Sequence, residues 1–358
     1  IHMNNLDRQY LNLLDTVIHH GNVKRDRTGT GTRSLFGKVI RHDMSEGFPI
    51  LTTKKVAWKQ VVTELLWLLS GSTNIKPLVD NGNNIWAGDA YKNYISKQPK
   101  PKIGDWENYI DCYCGHTDIC DCGPLLQKEF IGKIKTDNKF AKKWGELGPI
   151  YGQQWRDWNG LDQIQNLIDS LKTNPDSRRL MINAWNVGDL SDMVLPPCHY
   201  AFQVYTEDLY EYQRLAWYRR QKSVPYYHDH MSQELDHYNV PTRGISIMVN
   251  IRSSDIPLGL PFNISSYGLL LDILGNMTNL IPRELIIVLG DAHVYLNQKE
   301  NALIQLARQP KQLPLLIYNH SNVRFNGSID DFLQSCTHED FMLKGYDPHP
   351  TIKFPLSN

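Results

Sequence analysis

The chain predicts an α+β fold, and three observations carry that prediction. Its 358 residues are 41% apolar and 21% charged, the balance of a globular chain that buries a substantial core. Apolar residues recur at helical spacing in some segments and form short strand-like runs in others. The two kinds of segment alternate without the regular βαβ rhythm of a doubly wound sheet.

The elements follow in order. Between Leu6 and His20, the residues Leu11, Leu13, Leu14, Val17 and Ile18 keep helical spacing. "RTGTGTRSLFGKVI" reads as a Gly-rich turn entering a strand, and "AWKQVVTELLWLLSG" as an apolar helix stopped at Gly71. Asn84 to Gly148 is polar, aromatic and cysteine-bearing, an insertion or subdomain. "DQIQNLIDSLKTNP" is an amphipathic helix, and "RRLMINAW", "AFQVY" and "GISIMVNIRS" read as strands. The polar, Tyr-rich stretch Thr206 to Arg243 reads as a surface insertion. "NISSYGLLLDILGNMTNL" predicts a buried helix and "ELIIVLGDAHVYLN" a further strand. Internal repeats and low-complexity tracts are absent.

Formal net charge is zero, so bulk electrostatics call for neither nucleic acid nor a membrane surface. Anionic ligands would have to be held by local arginines. No apolar run approaches the roughly 20 residues of a membrane span. Ile1 and His2 ahead of Met3 read as a cloning remnant, and no signal-peptide pattern follows. The six cysteines are therefore read as thiols in a reducing, cytoplasmic setting.

Several residues point to chemistry. Cys198, in "VLPPCHYAFQVY", follows two prolines that fix φ and remove two backbone donors. It is either a rigidly held nucleophile or a buried structural thiol. Arg27, Arg178, Arg179 and Arg252 stand beside glycines or hydroxyl residues and could grip a phosphate, or each could form a solvated ion pair. "GTGT" lacks the Gly-Lys-Ser/Thr of a P-loop. Glu64 lies among Val61, Val62, Leu65, Leu66 and Leu68, where burial would raise its pKa and make an acid/base group. The bland reading places it on an exposed helix face. "CYCGHTDICDC" (Cys112, Cys114, Cys120, Cys122) is a zinc site or a set of free thiols, its spacing being tighter than Cys-x2-Cys knuckles. "GDAHVYLNQ" offers Asp291, with His293 and Tyr295 on one strand face. Asn263 either caps a helix or reads a ligand's paired donor and acceptor.

Together these motifs resemble the thymidylate synthase family. The resemblance runs in order through "RDRTGTGT", "FPILTTKKVAWKQVVTELLWLLSGSTN", "NIWAGDAY", "LGPIYGQQWR", "DSRRLMINAWN", "LPPCH", "LGLPFNISSYG", "GDAHVYLN" and "GYDPHPTIKFPLSN". It implies one catalytic domain over 3–358, with insertions at about 95–145 and 206–243. It also implies a large twisted mixed sheet packed with helices and lying at a homodimer interface. The implied partners are dUMP and methylene-tetrahydrofolate as cosubstrate, without a catalytic metal.

By the same resemblance, Cys198 is the nucleophile that adds to pyrimidine C6. Glu64 manages protons at uracil O4 and the folate, and Tyr151 helps remove the C5 proton. Arg27, His199, Arg252 and Ser253 serve the nucleotide, with Arg178 and Arg179 donated by the other subunit. Asn263 reads the base, and His293 and Tyr295 hold the ribose hydroxyl. Asp255 binds the pterin and Trp86 lies beside the transferred carbon. Asp89, Gly259, Phe262 and Asn358 complete the folate side. An amide at Asn263 suits uracil O4 and N3–H, where the family's dCMP hydroxymethylases have an aspartate.

The departures gather on the folate side. Ile251 precedes Arg252-Ser253 where synthases usually have glutamine. Asp89 stands where some have a second tryptophan, and Leu356-Ser357-Asn358 replaces a small apolar end. A wetter site would let water quench the exocyclic methylene intermediate. On this basis the expectation is a phage-type dUMP hydroxymethylase, the alternative being a thymidylate synthase that ends with hydride transfer.

Overall fold

The computed structural model describes residues 4–26, 28–98, 124–222 and 235–357. The expectations for Arg27, Asn358 and the cluster Cys112, Cys114, Cys120 and Cys122 fall outside those residues.

The architecture is α+β. Its main sheet contains β1 (Asn22–Lys24), β2 (Thr32–Asp43), β3 (Met181–Asn183), β4 (His199–Asp208), β5 (Arg243–Asp255) and β6 (Ile281–Tyr295), in the order β1-β2-β6-β5-β4-β3. Every pairing is antiparallel except β5 with β6, which is parallel. Parallel neighbours need a long crossover. The described helices are α1 (Asn5–His20), α2 (Trp58–Leu69), α3 (Lys76–Asp80), α4 (Ala87–Ser96), α5 (Gln127–Thr136), α6 (Asn138–Trp144), α7 (Tyr151–Arg156), α8 (Gln163–Thr173), α9 (Glu211–Lys222), α10 (Gly259–Thr278), α11 (Lys299–Leu306) and α12 (Ile329–Ser335). The β5–β6 crossover is α10. A small ribbon pairs β7 (Leu315–Tyr318) with β8 (Phe341–Lys344).

Strand register divides the sheet into two faces. Ile40, Ile287, Val249, Phe202 and Ile182 pair across successive strands and are all buried. α1 and α10 pack over this side of the sheet. On the opposite face Val39, Val288, Asn250 and Ala201 pair across the same strands, and Val39 is 53% exposed. The burial of α10 follows from its sequence: from Ile264 to Leu271 every residue is buried. Its proline, Pro261, lies in the first turn, where a missing N–H costs no helical bond. Asn279 ends the helix in the left-handed conformation, a usual C-terminal stop.

Two expectations are refined. The described residues of the Asn84–Gly148 stretch contribute to the main core, where Tyr94, Phe130, Ile134 and Ala141 are buried. Phe130 and Phe140 meet edge-on at 5.6 Å, and Tyr94 and Trp144 at 5.0 Å. The stretch Thr206–Arg243 lies partly in regular structure, since β4 runs to Asp208 and α9 follows it. Leu235, Val240 and Ile281 form a second small core beneath α9.

Candidate active site

The sheet topology brings distant segments to one end. β4 starts there, and β5 and β6 end there: His199 pairs with Ile251, and Asp255 with His293. Just inside β4 the register shifts between His199 and Ala201, a bulge of the kind that re-aims side chains beside sites. Cys198 stands immediately before this bulge.

The prolines are only part of what holds Cys198. Its backbone N–H donates to the Tyr151 hydroxyl at 2.7 Å. Arg252 donates from Nε to Pro197 O at 2.8 Å and from Nη2 to Pro196 O at 2.9 Å. The same Nη2 lies 3.9 Å from Cys198 Sγ. The Arg252 backbone N–H donates to Cys198 O at 2.8 Å, and its guanidinium lies over the Trp185 ring at 5.4 Å. Arg252 is thus a brace for the Pro-Pro-Cys turn, with fewer donors left for a phosphate than a free guanidinium has. Gly290 on β6 lets the Arg252 backbone lie close against it, because a Cβ there would meet Arg252 O at 2.7 Å.

Tyr151 is the first residue of α7 and is buried. Its position depends on Gly148, whose φ is +78° and where a Cβ would meet Asp192 O at 2.0 Å. Tyr151 stacks on His199 with ring centroids 4.1 Å apart. His199 Nδ1 lies 2.7 Å from the Tyr267 hydroxyl. Burial pulls the His199 pKa down to about 3, so the ring is neutral. Burial, then the nearby Cys198, pushes the Tyr151 hydroxyl well above its ordinary value; burial and Glu64 do the same for Tyr267.

Glu64, on α2, accepts from Trp86 Nε1 at 2.8 Å. Its side chain keeps some accessible surface, but crowding by protein atoms desolvates it and pushes its pKa up to about 7, against a smaller lowering by the Trp86 bond. Trp86 packs edge-on against Tyr151 at 6.0 Å. Glu64, Trp86, Tyr151, Cys198, His199 and Arg252 therefore form one contiguous set.

Asp255, at the end of β5, accepts from Leu258 N and from Gln298 Nε2, each at 3.1 Å. Burial nevertheless raises its pKa. Lys54 donates to Pro257 O and sits over the Phe354 ring at 4.9 Å, and burial lowers its pKa to about 8. Gly259 and Phe262 lie in the first turns of α10, with Asn263 at its fifth residue. Asn263 is therefore not a cap; Leu258 holds that position. His293 and Tyr295 share the end of β6, with ring centroids 5.3 Å apart. Ser253 pairs with Asp291 in the β5–β6 ladder. Asp89 stands three residues after Trp86 in the first turn of α4, half-buried. Ile251 is buried within the sheet.

Arg178 and Arg179 stand apart. Both are exposed on the turn before β3. Among the described residues, no three His, Cys, Asp or Glu side chains converge as metal ligands.

Sequence reasoning did not single out Tyr267, Gln298 or Lys54. Tyr267 carried a usable signal, since it follows Asn263 by four residues and so shares its helix face. Gln298 carried none, because its partners Asp255 and Pro355 are 43 and 57 residues away along the chain.

Comparison with known proteins identifies the family. The sequence profile described as thymidylate synthase matches residues 8–358. Thymidylate synthase of Mycoplasma mobile is 40% identical over 345 residues, covering 96% of this chain and 98% of the relative. Those of Mycoplasma pneumoniae and Zymomonas mobilis are each 39% identical, covering 97% of this chain and 98% of the relative. The chain belongs to the thymidylate synthase family, whose members transfer a folate-borne one-carbon unit to C5 of dUMP.

Proposed function

We propose that the protein is a thymidylate synthase, converting dUMP and methylene-tetrahydrofolate to thymidylate and dihydrofolate. The observation that carries this is the braced Cys198 turn beside a carboxyl of raised pKa. Arg252 lies 3.9 Å from Sγ, and that positive charge favours the thiolate nucleophile. The thiolate adds to C6 and pushes an electron pair toward C5 and O4. Glu64, titrating near neutrality at about 7, is suited to protonate O4 and the folate nitrogen and to take protons back. C5 then bonds to the methylene carbon. Loss of the C5 proton, with Tyr151 close by, allows tetrahydrofolate to leave and produces an exocyclic methylene. Hydride from tetrahydrofolate reduces it to methyl, and the thiolate departs from C6. Neutral His199 supports the nucleotide without adding a second titrating charge. Asn263 is suited to uracil, and His293 and Tyr295 to the ribose hydroxyl.

The docked C-terminal segment favours hydride over water. Ile352 and Phe354 are buried, Ser357 is 8% exposed, and Pro355 O accepts from Gln298 at 3.1 Å. A segment packed beside Asp255 supports a closed, dry folate side. One observation favours the hydroxymethylase reading: Asp89 places a half-buried carboxylate one turn from Trp86, where it could hold water. Ile251 adds little to that reading, since its side chain belongs to the sheet core.

We also propose a homodimer formed through the sheet face that carries exposed Val39, Met181 and Tyr205. That arrangement gives Arg178 and Arg179 a phosphate in the partner's site. Incubation with dUMP and methylene-tetrahydrofolate, followed by the mass of the nucleotide, tests the proposal. A thymidylate product that disappears with Cys198→Ala supports it; 5-hydroxymethyl-dUMP supports the Asp89 reading instead.

A further inference from the structure

We infer that Gln298 is a positioning residue for the cosubstrate, holding the Asp255 carboxylate and the docked C-terminal segment in one fixed relation. The inference rests on the reading of Asp255 as the pterin ligand. Gln298 is completely buried, and its amide spends its donors on two partners: Nε2 donates to Asp255 Oδ2 and to Pro355 O, each at 3.1 Å. Its Oε1 accepts the Tyr295 backbone N–H at 3.0 Å, which fixes the amide to the end of β6. Other hydrogen bonds hold the segment alone, while Lys54 lies over the Phe354 ring and also feels the Asp255 charge. Asn301 donates to Lys353 O at 2.7 Å, and Asn297 to Ser357 Oγ at 3.3 Å. Among the described residues, Gln298 is the one hydrogen-bonded to both Asp255 and the segment.

The consequence is reciprocal. An amide nitrogen carries two hydrogens, and here both are used. If the segment lifts, one buried N–H loses its acceptor; if Asp255 turns away, the other does. Each arrangement therefore favours the other, and a ligand that orients Asp255 also favours the docked segment.

Gln298→Glu is the direct test. The carboxyl keeps the shape and the acceptor for Tyr295 N–H; where ionised, at high pH, it donates nothing and repels the Asp255 carboxylate. Gln298→Leu removes the donors, together with the acceptor for Tyr295 N–H, without adding charge. For both variants the KM for methylene-tetrahydrofolate should rise about tenfold, the equivalent of the lost bond to Asp255, while the KM for dUMP stays within about twofold. Hydrogen exchange of residues 350–357 should accelerate by about tenfold in the same proteins. An unchanged folate KM with unchanged exchange overturns the inference. So does an equal loss for both substrates, which marks a general structural defect. If the parent protein fails to turn over these substrates, the functional proposal fails separately, and the exchange measurement alone decides the coupling.

Discussion

The Tyr151 hydroxyl accepts the backbone N–H of Cys198 at 2.7 Å while the Tyr151 ring stacks on His199. One aromatic side chain thus fixes both the backbone that carries the thiol and the neutral imidazole beside it. Tyr151→Phe keeps the stacking and leaves a buried donor unpaired, at a cost of about 1–3 kcal/mol. Expressed on the transition state, that is a fall in kcat of roughly 10- to 100-fold, with dUMP affinity little changed. Steady-state kinetics check it, and an unchanged kcat removes this role.

Glu64 ties activity and stability to pH. Its pKa is raised in the fold, so the native state holds the proton more tightly than the unfolded chain. The resulting stability is full below the ordinary carboxylate range and is lost as pH rises through about 7. Glu64→Gln should flatten that loss between pH 5 and pH 8 and lower kcat by roughly 10²- to 10⁴-fold. Denaturant midpoints at the two pH values read the first effect. Identical pH slopes for the two proteins would contradict it.

Tyr267→Phe removes the hydroxyl 2.7 Å from His199 Nδ1. The imidazole then loses a buried partner, and kcat/KM for dUMP should fall by about tenfold. The expected thermal shift is a few degrees at most. A large loss of stability with unchanged kcat/KM would make Tyr267 a packing residue.

Asn263→Asp should move preference from dUMP toward dCMP. The amide can accept from N3–H and donate to O4, whereas a carboxyl and its proton suit the cytosine edge. The ratio of kcat/KM values for the two nucleotides should change by about 10² or more. A variant that loses both activities equally would argue against base reading at this position.

Arg178 and Arg179 allow a test of the shared site. A double Arg178→Ala, Arg179→Ala variant and a Cys198→Ala variant should each be inactive. Mixed and exchanged, they form heterodimers with one intact site, and activity should recover to about one quarter of the parent value. No recovery, with exchange verified, places the arginines in their own subunit's site.

The sequence made much of this legible, for physical reasons. Apolar periodicity located α1, α2, α8 and α10, because each buries one or more faces against the sheet or its neighbours. Glu64 was visible because a carboxylate amid valines and leucines has little polar face to occupy. The prolines before Cys198 suggested rigidity but not its source. Tyr151 and Arg252 supply much of it, and they lie 47 and 54 residues away. The span of β3 shrank from "RRLMINAW" to three residues, Met181–Asn183, at the edge of the sheet. Asn263 could not be separated from a helix cap until the start of α10 was fixed at Gly259. Gln298 gave no local signal at all, because its meaning lies wholly in tertiary partners.

The proposed function requires that hydride, not water, end the reaction begun by Cys198. Dihydrofolate formed per nucleotide product measures this directly, in a reaction limited by dUMP. One dihydrofolate for each thymidylate is expected. Nucleotide product accumulating as 5-hydroxymethyl-dUMP with no dihydrofolate would contradict it and return the site to the water-quenched chemistry suggested by Asp89.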